Sequence, residues 1–531
     1  MTAKLHFHGA ARTVTGSCYM IETDTAKVLV DCGLFQGSRT ESELNYRAFP
    51  FDPKAVTALV LTHAHIDHTG LVPKLVKQGF DKSIYCTHGT KDLCTIMLPD
   101  SGFIQETEVR KLNQRNARKG LPEVEPMYGV IDAEMAVTLM QGQPYEQWFS
   151  PAPGIRMRYW NAGHLLGSAS IETEIVQAGK KPIRLLFSGD IGPDNKMLEA
   201  DPEGPTTWDF VICESTYGNK DRFERGVKER REQMAGELNA AAARDGVLLI
   251  PSFAVERTQE VVTDLVYLMD HGQAPKANIF IDSPLANKAS AIFRKHAKEL
   301  ENGQDLANAF ASPLVRATET VDESKALNMF KGFHIVISAS GMAEAGRIRH
   351  HLRNRLWQKT TTVLFVGFQA RGSLGNMLQE GAKRVKIMGE DVTVAATIRK
   401  LDDYSGHADG PELVQWVKER LPVAKTIFLT HGEEAPQIAL AENLRGLVAD
   451  DCIIRPRLDD VFDLTAEKCA VIVEDTKPRI DPASVAKLDW NNDLQSLVLD
   501  IEDQLITVAD SKGKAALVRK LRDTLEQAKR Q

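Results

Sequence analysis

Three histidines and one aspartate fall within the six positions from His63 to His68, directly after the apolar run 58–61. Such a run predicts a buried strand, so the polar cluster lies where the strand ends and a helix begins. Imidazole and carboxylate groups are ligands for divalent transition metals, above all zinc. A solvated, histidine-rich turn is the alternative interpretation. The recurrence of similar residues at strand ends farther along the chain argues against it.

Three later segments carry single polar residues in comparable positions. His164 lies in the glycine-bounded turn 163–168, Asp190 follows the predicted strand 184–187, and His431 follows the apolar run 426–429. A lone histidine in a glycine-rich turn is more often structural than functional. The order and spacing of these residues after the first cluster favour metal ligands instead.

The segment 63–68 resembles the His-x-His-x-Asp-His signature of the metallo-β-lactamase superfamily, and segments 28–33, 163–168 and 187–190 resemble that family's other motifs. Segments 213–218, 404–409 and 429–433 resemble the three motifs of the β-CASP branch, which contains nucleases of RNA processing and DNA repair. The resemblance extends over about residues 4–465. It is greatest to bacterial and archaeal relatives of the cleavage-and-polyadenylation endonuclease.

In the β-CASP branch, a histidine at the third motif accompanies RNA substrates and a valine accompanies DNA. The residue here is His431, so the resemblance implies RNA. Asp403 stands where ribonuclease J has the first histidine of its second motif. This difference weakens the expectation of an exonuclease that depends on the 5′ end.

The resemblance also implies two zinc ions per chain. The residues expected to hold them are His63, His65 and His164 for the first ion, Asp67, His68 and His431 for the second, and Asp190 as the bridge. Asp31 and Glu214 are expected to hydrogen-bond to the ligand histidines from behind. The residues assigned to catalysis itself are Asp67, Glu214 and His407. His407 is the candidate general acid, because histidine titrates near neutral pH and can protonate a leaving oxygen.

Substrate contacts are expected from the middle of the chain. Ser338, Ser340 and the amide of Gly341 follow an apolar run and precede a helical stretch, an arrangement that can bind phosphate. Arg371, in a second glycine-containing turn, is a further phosphate-binding candidate. The basic stretch 347–359 contains Trp357 and predicts either a helix that follows single-stranded RNA or a solvated charged face.

The predicted fold class is α/β, a discontinuous metallo-β-lactamase αββα sandwich with an inserted α/β domain and a helical tail. The predicted boundaries are 1–217 for the first part of the sandwich, 218–394 for the β-CASP insert, 395–475 for the return to the sandwich, and 476–531 for the tail. Apolar residues recur at helical spacing in the tail and predict a helical hairpin. That hairpin either packs on the body or forms a contact between copies of the chain.

Amino-acid composition limits the class of protein and its expected cellular location. The chain has 531 residues, 43% of them hydrophobic, without a membrane-length apolar run or an apolar signal core at its start. Seven dispersed cysteines without a Cys-x-x-Cys pair predict reduced thiols and a cytoplasmic location. A net charge of −7 argues against general coating by nucleic acid but allows a local basic groove.

The sequence therefore predicts a zinc-dependent endoribonuclease that hydrolyses phosphodiester bonds of single-stranded RNA through a hydroxide bridging the metals. The alternatives are a β-CASP nuclease acting on DNA and a small-molecule metallo-hydrolase. His431 disfavours the first alternative, and the long insert disfavours the second. A catalytically inactive scaffold is disfavoured because every expected ligand position is occupied by a suitable residue.

Overall fold

A computed structural model describes residues 3–37, 39–176, 179, 181–222, 226–367, 369, 372–465, 469–473, 479, 501, 504–505 and 510–528. Two mixed sheets, built from residues on both sides of an insertion, form a sandwich. The first sheet has the strand order Val471–Ile472, Val461–Asp463, Ala3–Phe7, Tyr19–Thr23, Lys27–Val30, Ala58–Val60, Ile84–Thr87, Met140–Gln143. The second has the order Ile453–Ile454, Val423–Thr430, Trp208–Glu214, Ile183–Phe187, Ala169–Ile175, Ile155–Asn161, Phe149–Ala152.

Alternating apolar residues on the strands bury the inner faces of both sheets against each other. Phe7, Tyr159, Phe187 and Phe428 are among the side chains of this central core. The outer faces pack against helices, which gives the αββα order. The helices of the sandwich are Arg39–Leu44, Ile66–Thr69, Val72–Lys77, His88–Lys119, Val130–Thr138, Gly410–Glu419 and Glu434–Asn443.

The inserted domain contains a six-stranded sheet in which every pairing is parallel. Its strand order is Val315–Ala317, Asn278–Ile281, His334–Ser338, Val247–Pro251, Thr362–Phe365, Thr397–Lys400. Apolar cores cover both of its faces, as a parallel sheet requires. Its helices are Val227–Ala242, Arg257–Asp270, Pro284–Lys295, Gly303–Ala311, Val321–Ala326, Ile348–Arg355 and Leu374–Gln379, and a hairpin joins Arg384–Ile387 to Glu390–Thr393.

The predicted α/β fold with a parallel-sheet insert is confirmed. Strand Thr397–Lys400 belongs to the inserted sheet, although it lies beyond the boundary predicted at 394. The insert packs directly on the sandwich, since Val255 and Phe293 share a core with Leu75 and Leu98.

The tail forms a separate compact unit from residue 487. Helix Ser511–Ala528 is its main described element, whereas most of the first predicted tail helix lies outside the described residues. The contact between copies that the tail suggested stays a prediction. Among the described residues, no helix has both the length and the apolar character needed to cross a bilayer.

The prediction of reduced thiols is wrong for two of the seven cysteines. Cys452 and Cys469 form a disulfide, with their Cα atoms 5.3 Å apart. Strand Ile453–Ile454, next to Cys452, belongs to the second sheet, and strand Val471–Ile472, near Cys469, belongs to the first. The separation of 17 residues in sequence therefore does not indicate that the two cysteines meet. The other five cysteines are buried free thiols.

Asp282 is a buried carboxylate at the end of strand Asn278–Ile281. It accepts hydrogen bonds from Thr318, Ser324, Arg347 and His351, at 2.6 to 2.7 Å. Burial alone would raise its pKa, but the bonds from His351, Ser324, Thr318 and Arg347 hold that pKa far below its ordinary value. Its contribution to stability is therefore present above about pH 4, the pKa of an unfolded aspartate, and is lost as the pH falls toward the folded-state pKa.

We predict that Asp282→Ala lowers the free energy of unfolding by about 3–5 kcal/mol, because it leaves Arg347 and His351 without their buried partner. Chemical denaturation at neutral pH measures the change. Asp322→Ala is the matched control, since that side chain is 94% exposed and should change stability by less than about 0.5 kcal/mol. Equal effects of the two substitutions would contradict the assignment.

Candidate metal centre

Strand ends and short loops of the sandwich place the metal-binding candidates at one edge. Helix Ile66–Thr69 begins inside the histidine cluster, and residues 67 and 68 pack against the loop after strand Lys27–Val30. A Cβ atom on Gly33 would lie 1.6 Å from the carbonyl oxygen of Asp67, so this close approach requires glycine. The amide of Cys32 donates to the carbonyl of His68 at 2.8 Å, which fixes the turn.

The first ligand set consists of His63, His65, His164 and Asp190, whose candidate ligand atoms all lie within 4.8 Å of one another. Nδ1 of His65 lies 3.2 Å from Nε2 of His63 and 3.1 Å from Nε2 of His164. Oδ2 of Asp190 lies 3.5 Å from Nε2 of His63. Four nitrogen and oxygen donors around one point suit a tetrahedral divalent metal.

The second set consists of Asp67, His68 and His431, again within 4.8 Å. Nε2 of His431 lies 3.2 Å from Nε2 of His68 and 3.6 Å from Oδ2 of Asp67. The second oxygen of Asp190, Oδ1, lies 3.3 Å from Nε2 of His68. Asp190 therefore presents one oxygen to each set.

Hydrogen bonds behind the ligands fix the orientation of the rings. Nδ1 of His68 donates to Asp31 at 2.8 Å, and the other oxygen of Asp31 accepts from the amide of Thr62 at 2.8 Å. Nδ1 of His164 donates to the carbonyl of Gly406 at 2.6 Å. Nδ1 of His431 lies 3.0 Å from the hydroxyl of Thr216. These partners leave the opposite nitrogens of His68 and His164 facing the centre.

The pKa shifts and charges of the two candidate ligand sets favour bound cations between them. Burial, followed by the neighbouring His68, lowers the pKa of His63 well below its ordinary value, and burial lowers the pKa of His65 to about 4. Burial would also lower the pKa of His68, but Asp190 and Asp31 raise it strongly. Oδ1 of Asp190 is buried and makes no hydrogen bond. The lowered pKa values keep His63 and His65 neutral, whereas the raised pKa of His68 shows that the buried carboxylates attract positive charge. Both features fit divalent metals, which bind neutral imidazole and displace protons from charged ligands.

His407 lies beside the first set. Its Nδ1 is 3.2 Å from Oε1 of Glu214 and 4.0 Å from Oδ2 of Asp190. Glu214 is buried and also accepts from the amide of Ile191 at 2.6 Å, so its carboxylate is held in place. The His407 side chain is 21% exposed and is therefore open to a substrate.

The structure brings only part of the expected phosphate-binding group to the surface. Ser338 is buried, and its hydroxyl donates to the carbonyl of Asp282 at 2.8 Å, so this hydroxyl is not free to contact a substrate. Ser340 is half-buried, and its hydroxyl accepts from Ala345. Gly341 packs against the exposed ring of Phe253. Arg371 lies outside the described residues.

The basic helix also differs from the simplest expectation. Arg347 and His351 bind Asp282, and Arg355 donates to the carbonyl of Leu327. These side chains hold the inserted domain together. Trp357 remains exposed at the end of this stretch.

Several contributors to the site were not identified from the sequence. Gly406 acts through its backbone carbonyl, which carries no residue-specific signal. Lys196, in a loop after strand Ile183–Phe187, donates to the carbonyl of His164 at 2.6 Å. Thr62 and Thr216 lie inside recognised motifs, and only their position near His63 and Glu214 could have indicated a role in the site.

Comparisons with known proteins agree with this architecture. Residues 11–119 match the Metallo-beta-lactamase superfamily, residues 258–378 the Beta-Casp domain, and residues 391–455 the Zn-dependent metallo-hydrolase RNA specificity domain. Ribonuclease TTHA0252 of Thermus thermophilus is 35% identical over 442 residues, which cover 82% of this chain and 94% of that protein.

Two archaeal relatives are also similar. Transcription termination factor FttA of Methanosarcina mazei is 29% identical, covering 82% of this chain and 68% of its own length. An RNase J-like protein of Methanocaldococcus jannaschii is 29% identical, covering 82% and 94%. The sandwich, the insert and the candidate ligand sets also follow in family order. These similarities show that the chain belongs to the β-CASP branch of the metallo-β-lactamase superfamily and is a metal-dependent hydrolase of the nuclease class.

Proposed function

We propose that the protein is a zinc-dependent endoribonuclease that hydrolyses phosphodiester bonds in single-stranded RNA. The observation that carries this proposal is the pair of ligand sets joined by Asp190, with His407 beside them and the inserted domain packed against them. A centre of this kind at the junction of two domains can be contacted by an extended polymer that lies along both of them.

Five histidines and two aspartates make up the proposed ligands. Nitrogen-rich sets of this composition favour zinc over magnesium or calcium, which prefer oxygen. His63, His65 and His164 would hold one ion, Asp67, His68 and His431 the other, and Asp190 both. When bound, a pair of such ions activates water and neutralises charge on a phosphate.

His407 is proposed to protonate the leaving ribose oxygen. Its Nδ1 faces Glu214. In a protonated ring, the proton on Nδ1 therefore points to Glu214, and the second proton is carried on Nε2. A water molecule that has given up one proton to the solvent forms a bond to phosphorus through its oxygen as the bond to the leaving oxygen breaks, and the Nε2 proton of His407 passes to the leaving oxygen. Asp31 and Thr216 keep His68 and His431 oriented during the reaction.

RNA is favoured as the substrate for three reasons. His431 occupies the third β-CASP motif, residues 391–455 match an RNA specificity domain, and the relative from Thermus thermophilus is named a ribonuclease. Ser340 and the exposed Trp357 are the remaining candidates for RNA contacts, because Gly341 is buried. Arg371 stays a sequence prediction.

We predict that purified protein makes internal cuts in single-stranded RNA but not in matched DNA, when each is labelled at both ends. A chelator and the substitution His431→Ala should both abolish cleavage, because each removes a metal. His271→Ala is the matched control, since this histidine is exposed and bonds only locally to Tyr267. Cleavage of DNA alone would contradict the proposal in favour of a DNA nuclease. Cleavage of neither polymer by metal-loaded protein would favour a small-molecule hydrolase.

We also predict that His407→Ala lowers kcat about 10²–10⁴-fold, the range of general acid catalysis, and leaves metal content unchanged. Single-turnover cleavage measures the effect. An RNA in which sulfur replaces the leaving oxygen should largely restore the rate of the variant, because a thiolate leaves without protonation. An equal loss on both substrates would assign His407 a role other than proton donation.

A further inference from the structure

Glu256 adopts a backbone conformation that is uncommon for any residue other than glycine. Its φ is 69° and its ψ is −65°, and the amide of Arg257 donates across it to the carbonyl of Val255 at 2.9 Å. These features define a γ-turn of the rare, strained kind. The turn connects strand Val247–Pro251 to helix Arg257–Asp270 of the inserted domain. Strain of this kind persists only where the surroundings enforce it, and it is concentrated at functional sites.

The turn directs a carboxylate into the boundary between the two domains. Oε1 of Glu256 accepts from Nζ of Lys196 at 2.8 Å, and the two side chains are only 6% and 4% exposed. The same ammonium group donates to the carbonyl of His164 at 2.6 Å. A buried chain of contacts therefore links the inserted domain, through a lysine of the sandwich, to a proposed metal ligand.

The ring of His164 is held from the same side. Its Nδ1 donates to Gly406, and a Cβ atom on Gly406 would lie 3.0 Å from Cε1 of His164 and 3.9 Å from Nη2 of Arg257. Arg257, the residue after Glu256, donates through Nη1 to the carbonyl of Val366 at 2.6 Å. The carbonyl of His164 is thus linked through Lys196 to Glu256. Gly406, which accepts from the His164 ring, lies beside Arg257.

Stability alone does not account for this arrangement. Buried ion pairs contribute little net stability, because desolvation offsets their attraction. Here, moreover, Oε2 of Glu256 and Oε1 of the nearby Glu199 are buried without hydrogen bonds. A strained turn and unsatisfied carboxylate oxygens both disfavour the folded state. The strained turn places Glu256 where it accepts from Lys196, which donates to the His164 carbonyl.

We infer that Lys196 and Glu256 are positioning residues for His164, through which the inserted domain sets the affinity of the metal held by His63, His65 and His164. The inference rests on the proposed two-metal centre. It assigns the inserted domain a part in metal binding although all seven proposed ligands lie outside it. Among the described residues, no hydrogen bond or ion pair joins Lys196 or Glu256 to Asp67, His68 or His431, so the site formed by these three residues should be unaffected.

The test is a zinc titration of the full chain against a competing chelator, comparing wild type with Lys196→Met and Glu256→Gln. His65→Ala and His68→Ala identify which binding step belongs to which site. We expect Lys196→Met to weaken the His164 site about 10–100-fold, the usual effect of losing a partner behind a ligand, and to leave the other site unchanged. Glu256→Gln should have a smaller effect in the same direction, since a glutamine still accepts from Lys196.

Lys295→Met is the matched control, because Lys295 also forms an ion pair across the domain boundary, with Asp92, but contacts no proposed ligand. Unchanged affinity at the His164 site in folded Lys196→Met or Glu256→Gln protein would overturn the inference, as would equal weakening at both sites. If Lys196→Met does not fold, the isosteric Glu256→Gln decides alone. A wild-type chain that binds fewer than two ions would instead contradict the proposed centre itself.

Discussion

Asp190 is the carboxylate on which both halves of the proposed metal centre depend. It is buried among histidines, presents one oxygen to each ligand set, and makes no hydrogen bond from Oδ1. Such a group is stable in the folded chain only with positive charge on both sides. Its position follows from strand Ile183–Phe187, in the interior of the second sheet. The register of that strand therefore sets the geometry of the entire centre.

The two domains contribute different things to the site. The sandwich supplies the ligands from the ends of strands that are far apart in sequence, which is why the chain must return to it after the insertion. The inserted domain contributes Glu256, which accepts from Lys196 of the sandwich, and Lys196 in turn donates to the carbonyl of His164. The inserted domain is therefore joined to the backbone of a proposed ligand through one buried ion pair.

Much of the candidate site could be predicted from the sequence, because His63, His65, Asp67 and His68 are local and the remaining candidate ligands follow in family order. Their supports could not be predicted to the same extent. Gly406 acts through a carbonyl, and Lys196 lies in a loop without periodicity or motif. The expected substrate contacts of Ser338 and of the basic helix are mostly absent, because composition does not reveal that the backbone carbonyl of Asp282 accepts from Ser338 and that its carboxylate accepts from Arg347 and His351. Contact between Cys452 and Cys469 likewise depends on sheet topology, which their spacing does not encode.

The most direct measurement is anomalous diffraction at the zinc edge from crystals of the full chain grown with zinc. The account predicts two peaks, one about 2.0–2.2 Å from ligand atoms of His63, His65 and His164 and one at similar distances from Asp67, His68 and His431, with an Asp190 oxygen bound to each. A single peak, or peaks away from these residues, would contradict the two-metal centre and the function proposed from it.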